Sequence, residues 1–198
     1  SDHAWHKFHA EQRILAASSR ATILRVPLLY GPLVSSLDES PVTALLGELQ
    51  RRGASRMEVD DTQLCYPTWT CDVAGVLRRL ADRERSTADV AGILHWQGAE
   101  RLTRYAMLQA MAEVVGIDAS TVSRGRRAPL EAQGVILDCS RLEVILGDSV
   151  TRFRTPFREG LRRCLDPFFK SGLAATSKPK KSESLFEELF WQELERTR

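Results

Sequence analysis

The chain has 198 residues, enough for one domain or one domain plus a small lobe, and it can bury a real core. Twenty-eight Lys and Arg face 26 Asp and Glu for a net charge of +2, so no basic stripe argues for nucleic acid. The longest apolar runs are far too short to span a bilayer, and the first residues, Ser-Asp-His-Ala-Trp-His, lack signal-peptide character.

In chain order, the first expected element is a helix from about His3 to Ala17. Asp2 is its N-cap and Phe8, Ile14 and Leu15 supply its apolar positions. Within it His3, His6 and His9 recur every third residue, which spreads them around the helix. With no carboxylate motif attached, they read as exposed helix residues rather than metal ligands. Ile23 to Val26 is a short apolar run closed by Pro27, the pattern of a strand buried in a parallel sheet. Tyr30-Gly31-Pro32 then reads as a turn just past that strand's carboxyl end, where open α/β sheets place their ligands.

Ser40 is expected to cap the next helix, with Pro41 as its first residue, Glu48 to Gln50 as its last turn and Gly53 as its stop. Met57 to Val59 is a strand candidate followed by an Asp60-Asp61 turn. A helix capped near Thr70 or Asp72 follows and runs through Leu80. Gly92 to Trp96 is a second buried strand closed by Gly98. Leu102 to Val115 is the clearest helix, capped by Thr103 and ended by Gly116, with Tyr105, Leu108, Met111, Ala112 and Val115 on one face. Thr121 to Pro129 reads as a basic loop around Arg124-Gly125-Arg126-Arg127. Asp138 or Ser140 caps a short helical turn, and Pro156 opens a last core helix through Leu161 and Leu165 to Pro167.

The tail differs in composition. Residues 171–184 are rich in Ser and Lys and read as a linker. Ser184-Leu-Phe-Glu187 is a capping box, and residues 185–198 read as an amphipathic helix with Leu185, Phe186, Leu189, Phe190 and Leu194 on its apolar face. That helix can fold back on its own domain or bind a partner. The four cysteines, Cys65, Cys71, Cys139 and Cys164, have no metal-like spacing and read as reduced thiols of a cytosolic or nuclear protein.

Alternating strands and helices with right-handed crossovers predict an α/β, doubly wound sheet. From about His3 to Phe169 the pieces also come in a recognisable order. They are Leu24-Arg-Val-Pro-Leu-Leu-Tyr-Gly31, Asp38-Glu-Ser-Pro-Val-Thr43, Tyr66-Pro-Thr68 with Asp72-Val-Ala74, His95-Trp96 with Gly98, Leu137-Asp-Cys-Ser-Arg-Leu-Glu143 and Arg154-Thr-Pro-Phe-Arg158. In these the chain resembles the C-terminal part of an extended short-chain dehydrogenase/reductase, a Rossmann-like doubly wound fold with a small C-terminal substrate-domain-like lobe. Residues 1–170 would form that truncated substrate-binding region, the later portion of a longer product. Within the superfamily the chain is similar to the regulatory beta subunits of methionine adenosyltransferase, relatives of the dTDP-4-dehydrorhamnose reductases.

That resemblance implies a non-catalytic regulator, part of a hetero-oligomer, that binds the methionine adenosyltransferase catalytic subunit and tunes S-adenosylmethionine synthesis, with NADP as the family's ligand. The alternative it implies is an NADP-dependent reductase of a nucleotide-sugar ketone. The superfamily's Tyr-x-x-x-Lys motif aligns on His3-Ala-Trp-His-Lys7, so Lys7 is kept and His3 stands at the Tyr position. By the same resemblance His3, Lys7 and Leu29 are cofactor contacts, and Asp166, Pro167, Phe168 and Phe169 stand where the family's C-terminal segment reaches into the catalytic subunit. An imidazole is shorter than a phenol and would not deliver its proton at the same point. The sequence also holds no Gly-x-x-Gly-x-x-Gly or Gly-x-Gly-x-x-Gly turn to cradle a pyrophosphate, which predicts no useful NADP binding by this chain alone.

Overall fold

In a computed structural model of the chain, residues 2–84, 90–126 and 136–170 are described here. The expected linker and tail helix lie outside them, as do the side chain of His3 and the residues of the basic cluster beyond Arg126.

Helix α1 (Asp2–Ala17) leads into strand β1 (Thr22–Arg25), and β2 (Leu29–Tyr30) follows Pro27 at once. A 3-10 turn at Leu37–Glu39 precedes α2 (Ala44–Arg52). Then come β3 (Met57–Asp60), β4 (Leu64–Cys65), β5 (Thr68–Trp69) and α3 (Thr70–Glu84). Strands β6 (Gly92–His95) and β7 (Leu102–Thr103) lead into α4 (Arg104–Val115). The described chain closes with β8 (Val122–Gly125), α5 (Ser140–Leu146), a 3-10 stretch at Gly147–Phe153 and α6 (Phe157–Lys170).

Pairing joins distant parts of the chain. β1 runs parallel to β6 with Ile23 beside Ile93, and β2 parallel to β5 with Tyr30 beside Trp69. β3 runs parallel to β8, and β4 antiparallel to β7. Two apolar cores result. The larger gathers α2, α4, α6 and β3 around Tyr30, Leu46, Met107, Met111 and Leu161; the smaller packs α3, α5 and β6 around Val76, Leu94, Trp96 and Leu142.

Several local expectations need correction. β1 is parallel, as its residue types require, but it is half-buried throughout rather than buried. Among the described residues it has one strand neighbour, β6. Tyr30 belongs to a short strand rather than a turn, because its neighbour Leu29 pairs with Thr68. The expected basic loop contains β8; Val122 alone of its four residues is buried, so no apolar run announces it. The clearest helix begins at Arg104, since Leu102 and Thr103 pair with β4, while Thr103 still caps it by accepting the Ala106 N–H. Ser40 Oγ accepts the Thr43 N–H and holds the turn that leads into α2. Neither capping candidate ahead of α5 stands at its N-cap, which is Cys139 with no side-chain bond; Asp138 Oδ1 instead accepts the Ser140 N–H in the turn just before the helix. The final helix continues through Pro167 to Lys170.

Candidate functional site

Parallel strands leave their ligands at their carboxyl ends, so the side chains there define the candidate site. At the end of β1, Arg25 forms a forked pair with Glu11 of α1, Nε to Oε1 at 2.9 Å and Nη2 to Oε2 at 2.5 Å. That bond holds the Glu11 carboxyl below its usual range and pushes the Arg25 guanidinium above its own. At the end of β6, His95 Nδ1 lies 3.2 Å from the Asp138 carbonyl. Trp96 is fully buried, and the Arg154 guanidinium lies 4.6 Å from its ring centroid while donating to Glu143 at 2.6 Å. Gln97 accepts the Leu137 N–H, and Gly98 donates its N–H to Thr68 Oγ1 at 2.9 Å. A Cβ on Gly98 would stand 2.4 Å from the Pro67 carbonyl, so this close approach of two loops requires glycine.

A second polar knot lies at the ends of β2 and β5, between the two cores. Asp72, buried in the first turn of α3, accepts the Thr155 N–H at 2.8 Å and its hydroxyl at 2.9 Å. Glu100 accepts the Phe157 N–H at 2.6 Å. Tyr30 stands beside Trp69 and Phe157 with its hydroxyl 3.5 Å from the Phe157 carbonyl, a marginal contact. Burial, with the charges of Asp72 and Glu100 nearby, pushes the Tyr30 phenol well above its ordinary range. Cys164 donates its S–H to the Gly31 carbonyl, and burial pushes its thiol up to about 12. Neither group is poised for acid–base work near neutral pH. The knot is built to hold α6 in place.

The residues expected to contact a cofactor lie on two elements: His3 and Lys7 on α1, where Lys7 is exposed, and Leu29 in β2, where it is half-buried. The sequence holds no Gly-rich pyrophosphate turn beside them. His6 and His9 are exposed and pack on Trp5, and no group of three metal-ligating side chains occurs among the described residues. A shallow open depression runs along Asp2, Ala4, Trp5, His6 and Phe8, all on one helix, and cannot enclose a ligand. No helix among the described residues is long and apolar enough to cross a membrane.

The four residues expected to meet a partner all lie in the last turn of α6, with unequal access. Pro167 is exposed, Asp166 is half-buried and paired to Lys170, Phe169 packs partly on the larger core, and Phe168 is 3% exposed within it. Sequence reasoning gives Asp72 only a capping role and Tyr30 only a place in a turn, has Thr155 only within the Arg154-Thr-Pro-Phe-Arg158 match, and assigns nothing to Glu100. The available signal is the pair of segments Tyr66-Pro-Thr68 with Asp72 and Arg154-Thr-Pro-Phe-Arg158, which the Asp72–Thr155 bonds join.

The parallel pairings, with loops at their carboxyl ends, are those of a Rossmann-like α/β fold. A dTDP-4-dehydrorhamnose reductase from Clostridium acetobutylicum superimposes with a TM-score of 0.64 at 20% identity, covering 82% of this chain and 54% of that one. A UDP-glucuronic acid 4-epimerase from Bacillus cereus, in complex with UDP-glucuronic acid and NAD, gives 0.56 at 17% identity over 86% of this chain and 50% of that one.

Residues 4–169 match the RmlD substrate binding domain, and the chain belongs to that family. It is 38% identical over 167 residues to methionine adenosyltransferase 2 subunit beta of Xenopus tropicalis and 35% identical over 170 residues to that of Mus musculus. Each alignment covers 82% of this chain and 48% of the relative, so the chain spans about half the length of the curated relatives it matches.

Proposed function

We propose that the chain is a non-catalytic regulatory subunit that binds the methionine adenosyltransferase catalytic subunit in a hetero-oligomer and modulates S-adenosylmethionine synthesis. One observation carries this reading: relatives named as subunit beta of that enzyme share 35–38% identity over 82% of the chain. The polar knot agrees with it, since its titratable groups are used as bonds and its Tyr30 phenol and Cys164 thiol are held neutral. Asp166, Pro167, Phe168 and Phe169 are the proposed docking segment, with Pro167 and the accessible parts of Asp166 and Phe169 as the contact surface and Phe168 as its internal anchor. Four free cysteines suit the reducing cytosol or nucleus.

The test is co-purification of the chain with the catalytic subunit, scored by complex mass and by the rate of S-adenosylmethionine synthesis. Co-elution with a changed rate is expected; separate elution with an unchanged rate would overturn the proposal. The second reading is an NADP-dependent reductase of a nucleotide-sugar ketone, which the match to the RmlD substrate binding domain favours. It requires a positioned acid and a held dinucleotide, whereas His3 stands at the Tyr position and the sequence lacks the phosphate turn. Calorimetry with NADP separates the readings: no binding in the micromolar range is expected from this chain alone.

A further inference from the structure

α6 is held in an unusual way for a core helix. Its inner face carries the expected apolar residues Phe157, Leu161, Leu165 and Phe168. Directional polar contacts from three separate parts of the chain act on the residues leading into it and on its first two turns as well. Asp72 grips both the N–H and the hydroxyl of Thr155, 83 residues away, and Glu100 takes the N–H of Phe157. Cys164 donates to the Gly31 carbonyl, and Gly160 lies so close to Tyr30 that a Cβ would stand 2.2 Å from its hydroxyl. Asp72 stands in the first turn of α3, and both of its carboxylate oxygens reach across to Thr155. An apolar stripe alone tolerates small rotations and slides; hydrogen bonds to fixed carboxylates do not.

We propose that Asp72 and Glu100 are positioning residues for partner capture. By fixing the rotation and height of the start of α6, they determine which face its last turn presents. The inference rests on the reading of residues 166–169 as the docking segment. The helix has 14 residues, so its two ends stand about 21 Å apart at 1.5 Å per residue. A tilt of a few degrees at Thr155 therefore moves Pro167 by an ångström or more. Pro167 supplies no N–H to the helix, so the last turn lacks one internal bond and depends on how the rest of the rod is seated.

Hydrogen exchange on the full chain tests the coupling without a partner. In Asp72→Asn and Thr155→Val the amides of Asp166, Phe168, Phe169 and Lys170 are expected to exchange about tenfold faster, while those of β3 and β8 keep their rates. Thr155→Ser retains both bonds and should match the unmodified chain. Acceleration confined to residues before Leu161, or spread equally into β3 and β8, would overturn the proposal.

Capture by the catalytic subunit is the second arm. It should weaken about tenfold in Asp72→Asn and Thr155→Val and recover in Thr155→Ser. Equal capture by all four chains would also overturn the proposal. If the unmodified chain is not captured at all, the function reading fails, and the exchange pattern alone still decides whether the two ends of α6 are coupled.

Discussion

Gly160 lies directly against Tyr30 in the larger core, where a Cβ would stand 2.2 Å from the Tyr30 hydroxyl. The ring is 1% exposed and flanked by Trp69 and Phe157, so it has no free direction in which to retreat from an added methyl. Gly160→Ala should therefore destabilise the chain by about 1–3 kcal/mol, the usual range for overpacking, read as a lower urea midpoint at unchanged slope. Tyr30→Phe removes the clashing oxygen at little cost, because that hydroxyl has only a marginal bond. The double variant should lose less than the two single losses added together, and strict additivity would refute the contact.

Cys164 gives a prediction in pH. Its thiol pKa is raised from 9.0 to about 12 in the folded chain. Below pH 9 both states hold the proton and stability is independent of this group. Above it the unfolded chain ionises first, binds fewer protons, and is favoured. Stability should thus fall from pH 9 toward 12, by at most about 1.4 kcal/mol per pH unit for one group. Tyr30, also raised, adds to the fall above pH 10. Chemical denaturation at pH 8, 9 and 10 should show the slope reduced in Cys164→Ala, and an unreduced slope would assign it elsewhere. Neither effect was legible in the sequence. Glycine and cysteine look alike wherever they occur, and only the fold brings Gly160 under Tyr30 and Cys164 against Gly31.

At the level of elements, legibility followed how much of an element's stability is local. α4 was recognisable because its signals are its own: a hydroxyl at Thr103 that accepts the Ala106 N–H, and Gly116 at φ 70°, a left-handed stop. β8 was misread because nothing local makes Val-Ser-Arg-Gly a strand; its pairing with β3, 65 residues earlier, does. Strands β2 and β5 have two residues each, too few for a period. Thr103 has a further duty that no pattern shows, since its hydroxyl also donates to Asp61 at 2.6 Å. Thr103→Ala should lose about 1–2 kcal/mol, with both the cap and the tie to Asp61 removed. Thr103→Ser should keep most of it. A thermal melt distinguishes these outcomes, and equal losses in the two variants would show that the methyl rather than the hydroxyl matters.

For the whole molecule, the candidate site divided along the same line. The likeness placed Lys7, Leu29 and residues 166–169 in the chain, but not the carboxylates that bind the start of α6 across the seam of two cores. Long-range polar pairs leave no period in a sequence. The outer surface carries its own consequence. Trp5, Phe8 and Ile14 are about half exposed or more on α1, whose other described apolar side chain of size, Leu15, is half-buried. β1, tied to α1 through Arg25 and Glu11, has one strand neighbour among the described residues. An edge without a second strand and a helix face of exposed aromatics both favour pairing with another chain. The purified chain should therefore self-associate as its concentration rises, seen as growing mass by light scattering. Phe8→Glu should suppress this with little change in melting temperature, because Phe8 is about half exposed and belongs to neither apolar core. If Phe8→Glu leaves association unchanged, or if the unmodified chain stays monomeric at high concentration, α1 is not the sticky face.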